Sequence, residues 1–235
     1  YGYLSSDLAH TGTALKASVI LHLPALTMTG SLDKAAQLAK DRRQALSGLK
    51  ATGGIEVRLD HTGEPVDPGR ASQVATVTTE VSGEALYSHW YDVPSMPYDE
   101  AQGDLCVLFN TSTLDISEEE TIFHLKHVAE AIVKLEQDAR RCLQRDNPIH
   151  IEDRVARAFS LGRNVRLLGF AEALELLSSI RLGVATGIDT EHSIQSINEL
   201  LVASQNVHIQ MRTGHDSGEL GLSARRADLF RAQLS

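Results

Sequence analysis

The chain has 235 residues, of which 42% are hydrophobic and 23% charged, a composition typical of a globular protein with one large or two small domains. Its formal net charge of -9 argues against a duplex nucleic-acid binder, and no apolar run approaches the roughly 20 residues that cross a membrane. Two cysteines, Cys106 and Cys142, are too few and too separated for a disulfide scaffold or a zinc site, which favours the reducing cytoplasm.

The first 24 residues predict two extended segments, Gly2–Ser6 and Ala17–Leu23, joined by a polar turn. Gly12 lets the backbone of this turn approach a ligand closely, and successive N–H groups in such a turn can face an anion. Lys16 adds a positive charge at the end of the turn. Most turns of this kind bind nothing, so the residues alone leave both interpretations open. Because the chain starts at Tyr1 rather than at a methionine, we expect it to be part of a longer protein.

Residues 17–24 read ASVILHLP. Together with the preceding turn they resemble the nucleotide loop and following strand of the ATP:guanido phosphotransferases, with the strongest likeness to the bacterial protein-arginine kinases. The resemblance implies that ATP and Mg²⁺ are the cofactors. It implies that the nucleotide is bound by Lys16, Ala17, Ser18, Val19 and Ile20.

Three residues of the turn depart from the family pattern. Asp7 occupies the position of the family's reactive cysteine, and His10 occupies that of an asparagine. Lys16 replaces a phosphate-binding arginine, which keeps the positive charge but loses the two-point fork of a guanidinium. The resemblance therefore implies the fold more strongly than the chemistry, and it assigns no catalytic residue.

The next elements are predicted to be a helix and a strand. Ser31–Leu49 is rich in helix formers, with Ser31 as the expected N-cap and Gly53-Gly54 as the stop signal. Gly54–Leu59 then reads as a strand. It resembles the family strand whose arginine contacts nucleotide phosphates, which would give that role to Arg58; the alternative is that Arg58 is an exposed, solvated charge.

Residues 64–102 do not match the family and are predicted to be an insertion. Prolines interrupt this stretch around a predicted strand, Val74–Val81. It also contains four large aromatic residues, Tyr87, Trp90, Tyr91 and Tyr98. One interpretation is a lid or partner surface near the active-site rim. The other, which we favour, is that the aromatic side chains pack on their own domain, because they bury much area per residue.

Asp104–Asn110 is strongly apolar and predicts a central strand. A helix should begin at Ser117, which forms a capping box with Glu120, and continue to about Arg145. Its predicted buried stripe consists of Ile122, Leu125, Ala129, Ile132, Val133, Leu135 and Ala139. Glu120 also lies near His124 and His127 on this helix, but with no further ligand in view we predict no metal site.

Asn147-Pro148 marks a predicted boundary, with asparagine as cap and proline as the first helical residue. Every later segment has helical periodicity, which predicts an all-α bundle. The predicted helices are Pro148–Leu161, Phe170–Leu182, Thr190–Gln205 and Ser223–Leu234.

This carboxy-terminal part resembles a region that bacterial protein-arginine kinases have and muscle-type phosphagen kinases lack. The shared features are Ile151 followed by Glu-Asp-Arg, Arg166, Leu177-Ser178 leading to Ile180–Gly183, and Asn198–Leu200. The resemblance implies a phosphoarginine pocket around an Arg-Asp, two residues, Arg-Ala motif. Arg226 and Ala227 match its second half, whereas Leu222 and Ser223 replace its first half. The alternative is that Arg225 and Arg226 are exposed helix charges.

These patterns predict an α+β protein in two parts. Residues 1–146 would be the carboxy-terminal half of a phosphagen-kinase-like catalytic domain with the insertion at about 64–102, an antiparallel sheet backed by helices. Residues 147–235 would be the all-α helical domain. An unpaired edge of the first strand would favour association into a homo-oligomer.

The resemblance implies a kinase whose parent protein transfers the γ-phosphoryl group of ATP to a protein arginine, with a protein substrate or adaptor as partner. The remaining phosphate-binding arginines and the acidic base belong to the family's preceding half, so this piece alone is expected to be inactive. One alternative is a catalytically lapsed relative that serves as a scaffold in protein quality control, since Asp7, Lys16 and the halved pocket motif are all losses. A further alternative is an interaction module that shares only the fold.

Overall fold

A computed structural model describes residues 12–13, 15–48, 102–111, 113–114, 116–213 and 218–235. The predicted strands Gly2–Ser6 and Gly54–Leu59, the residue Arg58 and almost all of the predicted insertion lie outside these ranges. Within them the elements, in chain order, are β1 (Ser18–His22), α1 (Pro24–Met28), α2 (Leu32–Lys40), β2 (Gln44–Gly48), a 3₁₀ turn (Gln102–Asp104), β3 (Leu105–Asn110), α3 (Glu118–Asp146), α4 (Pro148–Asn164), α5 (Phe170–Thr186), α6 (Ile194–Ala203), α7 (Asn206–Thr213) and α8 (Gly218–Leu234). The described part is therefore mostly helical with a small sheet, which agrees with the predicted α+β class.

The sheet has three antiparallel strands in the order β1-β3-β2. The predicted strands at Ala17–Leu23 and Asp104–Asn110 are confirmed as β1 and β3. Ser18 pairs with Phe109 and His22 with Leu105 at the two ends of the β1–β3 ladder. Since successive side chains of a strand point to opposite faces, Val19 and Leu21 lie on the face that packs on the buried core, whereas Ser18, Ile20 and His22 lie on the other face.

The predicted helix Ser31–Leu49 is correct only as far as Lys40. After a turn, the chain forms β2, in which Gln44 pairs with Asn110 and Gly48 with Cys106. Arg43 has a left-handed φ of 57°, and its carbonyl oxygen accepts hydrogen bonds from Thr111 N (3.2 Å) and Thr111 Oγ1 (2.7 Å). Pairing with β3 thus overrides a local helical preference. Ser31 is the N-cap residue by position, but its side chain makes no capping hydrogen bond.

The long helix α3 begins as predicted. Glu120 N donates to Ser117 Oγ at 3.2 Å and Ser117 N donates to Glu120 Oε2 at 3.0 Å, which confirms the capping box. The predicted buried stripe is partly wrong, because Ile122 and Val133 are 55% and 39% exposed. The residues of α3 that are buried are Thr121, Leu125, Val128, Ile132, Glu136 and Leu143.

The carboxy-terminal helices differ from the prediction mainly in their ends. Asn147 precedes Pro148 at the start of α4 as expected, but its side chain makes no capping hydrogen bond. Both α4 and α5 are longer than predicted. The predicted helix Thr190–Gln205 is wrong at both ends, because α6 starts only after a capping box formed by Ser193 and Ser196, and α7 follows it as a separate helix.

Three groups of buried apolar residues hold these elements together. One lies between the sheet and α1–α3 and includes Leu23, Leu108 and Ile132. A second lies among the carboxy-terminal helices and includes Ile180 and Phe230. The third connects the two, and its members are Ala25, Leu143, Ile151, Val155 and Leu182. The sheet and the later helices are therefore packed against each other as well as within themselves.

Candidate functional site

The turn that precedes β1 is fixed to the end of β3 by the buried side chain of Asn110. Ala17 N donates to Asn110 Oδ1 at 2.8 Å, and Asn110 Nδ2 donates to Leu15 O at 3.0 Å. Thr13 N donates to Thr113 O at 3.1 Å. A Cβ atom at Gly12, which has a φ of +85°, would lie 2.1 Å from the same carbonyl oxygen, so this close approach requires glycine. The turn is thus held in one position on the sheet.

The predicted nucleotide-binding residues follow this turn directly. Lys16 and Ser18 are exposed, and Ile20 is 40% exposed, although isoleucine is usually buried. Val19 packs against the core under the sheet. Partial burial of the Lys16 amine lowers its pKa. The structure therefore places Lys16, Ser18 and Ile20 on the accessible side of β1, and the position of Arg58 relative to them lies outside the described residues.

A cavity of ≈ 300 Å³ opens at the same end of the sheet. Arg42 and Arg43 line it from the turn after α2, Asn110 lines it from β3, and Thr121 and His124 line it from α3. Asn110 therefore contributes both to this cavity and to the anchoring of the turn. Arg42 and Arg43 carry no signal of this role in the sequence, where they resemble ordinary surface charges of a predicted helix.

The other end of β1 is bonded to the carboxy-terminal helices through His22. Its Nε2 lies 2.9 Å from Ser178 Oγ on α5, and Ser178 Oγ also donates to Asp104 Oδ2. Arg154 on α4 donates from Nη2 to Asp104 Oδ2 at 2.5 Å and from Nε to Ser179 Oγ at 2.9 Å. This polar network joins β1, the start of β3, α4 and α5, and its side chains are largely removed from water.

Sequence reasoning did not find this network, because its partners are far apart in the chain. Asp104 is separated from Arg154 by 50 residues and from Ser178 by 74. The available signal was an aspartate at the start of an apolar strand, where a buried carboxylate needs a partner. This signal indicates that Asp104 has a partner, but it does not identify that partner.

We expect His22 to make the stability of the protein depend on pH. Burial, followed by the positive charges of Arg181, Arg140 and Arg154, lowers the pKa of His22 well below its usual range. The unfolded chain then binds a proton that native His22 does not, so stability is complete above the unfolded pKa of about 6.5 and falls as the pH drops below it. At pH 5.5, one unit below the unfolded pKa, the loss of stability should be at most about 1.4 kcal/mol.

Urea denaturation between pH 5 and 8 checks this expectation. The free energy of unfolding of the wild type should decrease below pH 6.5, and the His22→Gln variant should show a smaller decrease over the same range. Because the other histidines remain in both proteins, the difference between the two curves isolates His22. Parallel curves would contradict the expectation.

A second buried carboxylate, Glu136 on α3, holds the start of α1. Its Oε1 accepts from Ala25 N at 3.0 Å and from Arg140 Nε at 2.6 Å, and its Oε2 accepts from Leu26 N at 2.9 Å. Burial raises the pKa of Glu136, against the opposing effect of these donors. The i, i+4 spacing of Glu136 and Arg140 was visible in the sequence, but the contact with α1 was not.

The predicted pocket residues Arg226 and Ala227 are both buried, at 2% and 0% exposure. The alternative that Arg226 is an exposed charge is therefore wrong, whereas Arg225 is exposed. Arg226 donates from Nε to Ser204 O and from Nη1 to Leu168 O, each at 2.7 Å, and from Nη2 to Asn206 Oδ1. Its guanidinium also lies 5.6 Å from the centre of the Phe170 ring. These contacts tie α8 to α6, α7 and the start of α5.

Cys106 is fully buried at the centre of the sheet, whereas Cys142 is exposed. Burial, assisted by the negative charges of Asp104 and Glu136, raises the pKa of Cys106 to about 12. The thiol of Cys106 is therefore protonated at neutral pH.

Among the residues that the structure describes, no three histidine, cysteine or acidic side chains are grouped so as to hold a metal ion. No helix in the described ranges combines the length and the apolarity that crossing a membrane requires.

Two protein-family models match parts of the sequence. Residues 148–235 match a model described as the protein-arginine kinase McsB C-terminal domain. Residues 1–56, which include the turn and β1, match a model described as the ATP:guanido phosphotransferase C-terminal catalytic domain. The two matches fall on either side of the predicted insertion.

Curated relatives match along the whole chain. A protein-arginine kinase of Symbiobacterium thermophilum is 32% identical over 234 residues, which cover 100% of this chain and 54% of the relative. Similar relatives occur in Pelotomaculum thermopropionicum (33% identical, 99% of this chain and 51% of the relative) and Bacillus cereus (28% identical, 100% and 53%). All three carry the name protein-arginine kinase. The chain spans about half the length of the curated relatives it matches.

Proposed function

This chain belongs to the ATP:guanido phosphotransferase family, in its protein-arginine kinase branch, and on that premise we propose that the complete protein transfers the γ-phosphoryl group of ATP to the guanidino group of a protein arginine. The observation that carries the proposal is the similarity to protein-arginine kinases over 100% of this chain. The chain spans about half of such a relative, so the activity is proposed for the complete protein and not for this piece.

The position of Lys16 supports this proposal. Phosphoryl transfer depends mainly on positioning and on positive charge at the phosphate oxygens. Lys16 is an exposed cation at the start of β1, and the turn before it is fixed by Asn110. We propose that Lys16, Ala17, Ser18, Val19 and Ile20 bind the nucleotide, with Arg58 as a second cation at its phosphates.

The described residues fit ATP better than they fit its metal. The anchored turn offers a lysine and backbone N–H groups to the phosphates, whereas no metal-binding group of side chains occurs in the described ranges. Mg²⁺ in kinases is commonly held by phosphate oxygens and water with few protein ligands, so it would arrive with the nucleotide and neutralise charge there.

We expect Lys16→Ala in the complete protein to weaken ATP binding by about tenfold or more, because a charge-assisted hydrogen bond contributes about 1.5–3 kcal/mol and 1.4 kcal/mol is tenfold. Calorimetric titration with ATP and Mg²⁺ checks this. Lys34→Ala, which removes an exposed lysine from α2, is the matched control and should leave the affinity unchanged. Equal affinities for the wild type and Lys16→Ala would remove Lys16 from the site.

The activity itself is tested by incubating the complete protein with γ-labelled ATP, Mg²⁺ and a protein substrate. Acid-labile label on arginine would support the proposal.

Our second proposal is a catalytically lapsed relative that acts as a scaffold, and it is favoured by Asp7 and Lys16 at positions where the family has other residues. Absence of transfer together with intact partner binding would support that second proposal instead.

The phosphoarginine pocket with Arg226 and Ala227 stays a prediction. A guanidinium has five N–H donors, and protein acceptors use three of those of Arg226, so two are left for a phosphoryl group. The side chain is only 2% exposed, so a ligand would reach it from inside a pocket rather than from the surface. Titration of the complete protein with phosphoarginine, with Arg225→Ala as control, tests this.

We further propose the organisation of the chain and its surroundings. Residues 1–146 would be the sheet-containing part and residues 147–235 an all-α bundle; the grouping of buried residues among α4–α8 supports this division. The complete protein would work in the cytoplasm on a protein substrate or with an adaptor protein. The predicted first strand, Gly2–Ser6, lies outside the described residues; an unpaired edge there would favour a homo-oligomer.

A further inference from the structure

In the segment Ile180–Gly183 of α5, three residues have a packing role and one does not. Ile180 and Leu182 are fully buried. Gly183 lies against Val155, and a Cβ atom in its place would come within 2.7 Å of Val155 Cγ1. Arg181 lies between Ile180 and Leu182 in the sequence and is partly buried. None of the described residues accepts a hydrogen bond from it or forms an ion pair with it.

Arg181 also lies near the positive charge of Arg140. Burial, followed by the positive charge of Arg140, lowers its pKa. One turn earlier on α5, Ser178 is bonded to His22. Hydrogen bonds bring the helices that carry these arginines together: Arg154 of α4 donates to Ser179 of α5, and Gln144 of α3, one turn after Arg140, donates to Thr186 O of α5. The positive charges of Arg181, Arg140 and Arg154 all lower the pKa of His22.

The two buried acids of this region are already engaged. Glu136 accepts from Arg140 and from two backbone N–H groups of α1. Asp104 accepts from Arg154 and Ser178. Of the three arginines, Arg140 and Arg154 therefore have carboxylate partners, and Arg181 has none within the part of the chain that the structure describes. A partly buried charge without a partner is unfavourable, and an anion from solution would relieve it.

We propose that Arg181, with Arg140 beside it, forms a binding site for an oxyanion of the phosphate class at the junction of β1, α3 and α5. A guanidinium presents two parallel N–H donors that match the oxygens of such an anion. The site lies at the His22 end of β1, whereas the predicted nucleotide residues Lys16–Ile20 start from the opposite end of the strand. It does not depend on the proposed phosphoryl transfer, because anion binding needs no catalytic group.

The test is thermal unfolding of the complete protein in inorganic phosphate, with chloride added to keep the ionic strength constant. At 10 mM phosphate we expect the wild-type Tm to rise by about 2 °C, because a ligand that binds only the folded state stabilises it. Arg181→Gln should reduce the rise to the part that phosphate bound at the proposed nucleotide site contributes. Arg157→Gln is the matched control: Arg157 is an exposed arginine of α4 paired with Asp153, and its loss should leave the rise intact.

A second measurement separates binding from a structural role. In chloride alone, Arg181→Gln should melt at the same temperature as the wild type or higher, because it removes repulsion from Arg140. A purely structural arginine would give a lower Tm. Lys16→Ala should retain the phosphate effect, which distinguishes this site from the nucleotide strand.

Three results would overturn the proposal. They are a phosphate-induced rise that is as large in Arg181→Gln as in the wild type, the absence of any rise in the wild type, and a lower Tm of Arg181→Gln in chloride alone. None of these results depends on kinase activity, so failure here leaves the proposed function untouched.

Discussion

Arg226→Ala is expected to lower the free energy of unfolding by about 3–5 kcal/mol, because it leaves two buried acceptors and one partly buried acceptor without a donor, at about 1–3 kcal/mol for each buried one. The acceptors are the carbonyl oxygens of Ser204 and Leu168 and the side-chain oxygen of Asn206. Ser204 is the C-cap of α6, where the helix dipole favours a cation. Arg226 therefore connects α8 to three other segments through a single side chain.

Arg225→Ala is the matched control for this prediction, since the neighbouring arginine is exposed and its loss should cost within about 0.5 kcal/mol. Arg226→Lys should be intermediate, because an ammonium group keeps the charge but cannot reach three acceptors in the fixed geometry of a guanidinium. Guanidinium chloride denaturation of the three variants measures these differences. If Arg225→Ala and Arg226→Ala were equally stable, the hydrogen bonds of Arg226 would have no net stabilising role.

Local sequence signals predicted the elements whose causes are local. The capping box of Ser117 and Glu120, the proline at the start of α4 and the apolar run of β3 all depend on residues within a few positions of each other. Their positions were therefore predicted within one or two residues. The buried stripe of α3 was less accurate, because which of several apolar residues face the sheet depends on the angle at which the helix packs.

Residues 44–48 were predicted to be helical but form β2, and the cause is tertiary rather than local. Residues 44–48 are QALSG, a sequence with no strong preference for a strand. They form one because Leu46 is buried beside Leu108 and because β3 supplies hydrogen-bond partners along the ladder. A helix continuing through Gln44 would have left that edge of β3 unpaired. Tertiary pairing of this kind cannot be seen from a single segment.

The candidate site shows the same division. The turn and Lys16 were predicted to form part of the site because they belong to a continuous stretch that resembles a known family. Asp104, Arg154 and Ser178 were not found, since they come from three separate elements and meet only in the folded protein. Arg226 was found as a motif residue, but its burial and its acceptors depend on where α6 and α7 end.

Loss of the charge of Asp104 should be the other large effect on stability. Asp104 is 3% exposed and accepts from Arg154 Nη2 and Ser178 Oγ. Asp104→Ala should lower the free energy of unfolding by about 3–5 kcal/mol, because removing one partner leaves a poorly solvated guanidinium without its counter-ion. Part of this cost would come from the backbone, since Asp104 has a φ of 53° and alanine tolerates this conformation less well than aspartate or asparagine.

Asp104→Asn separates these two contributions, because asparagine accepts a left-handed φ and keeps the shape while it removes the charge. We expect it to cost about 1.5–3 kcal/mol, the range for a hydrogen bond to a charged group. The matched control is Asp153→Ala, which breaks the exposed ion pair with Arg157 and should cost at most about 1 kcal/mol. If Asp104→Asn and Asp153→Ala were equally mild, the network would not hold the sheet against the carboxy-terminal helices.

The double variant Asp104→Asn, Arg154→Gln gives the final discrimination. If the two side chains stabilise the fold through each other, the cost of the double change should fall short of the sum of the single changes by about 0.5–3 kcal/mol. His22 should then titrate differently as well, because Ser178 bonds both His22 and Asp104 and would be free to turn toward the imidazole. Additive costs together with an unchanged pH dependence would mean that Asp104 and Arg154 do not stabilise the fold through each other.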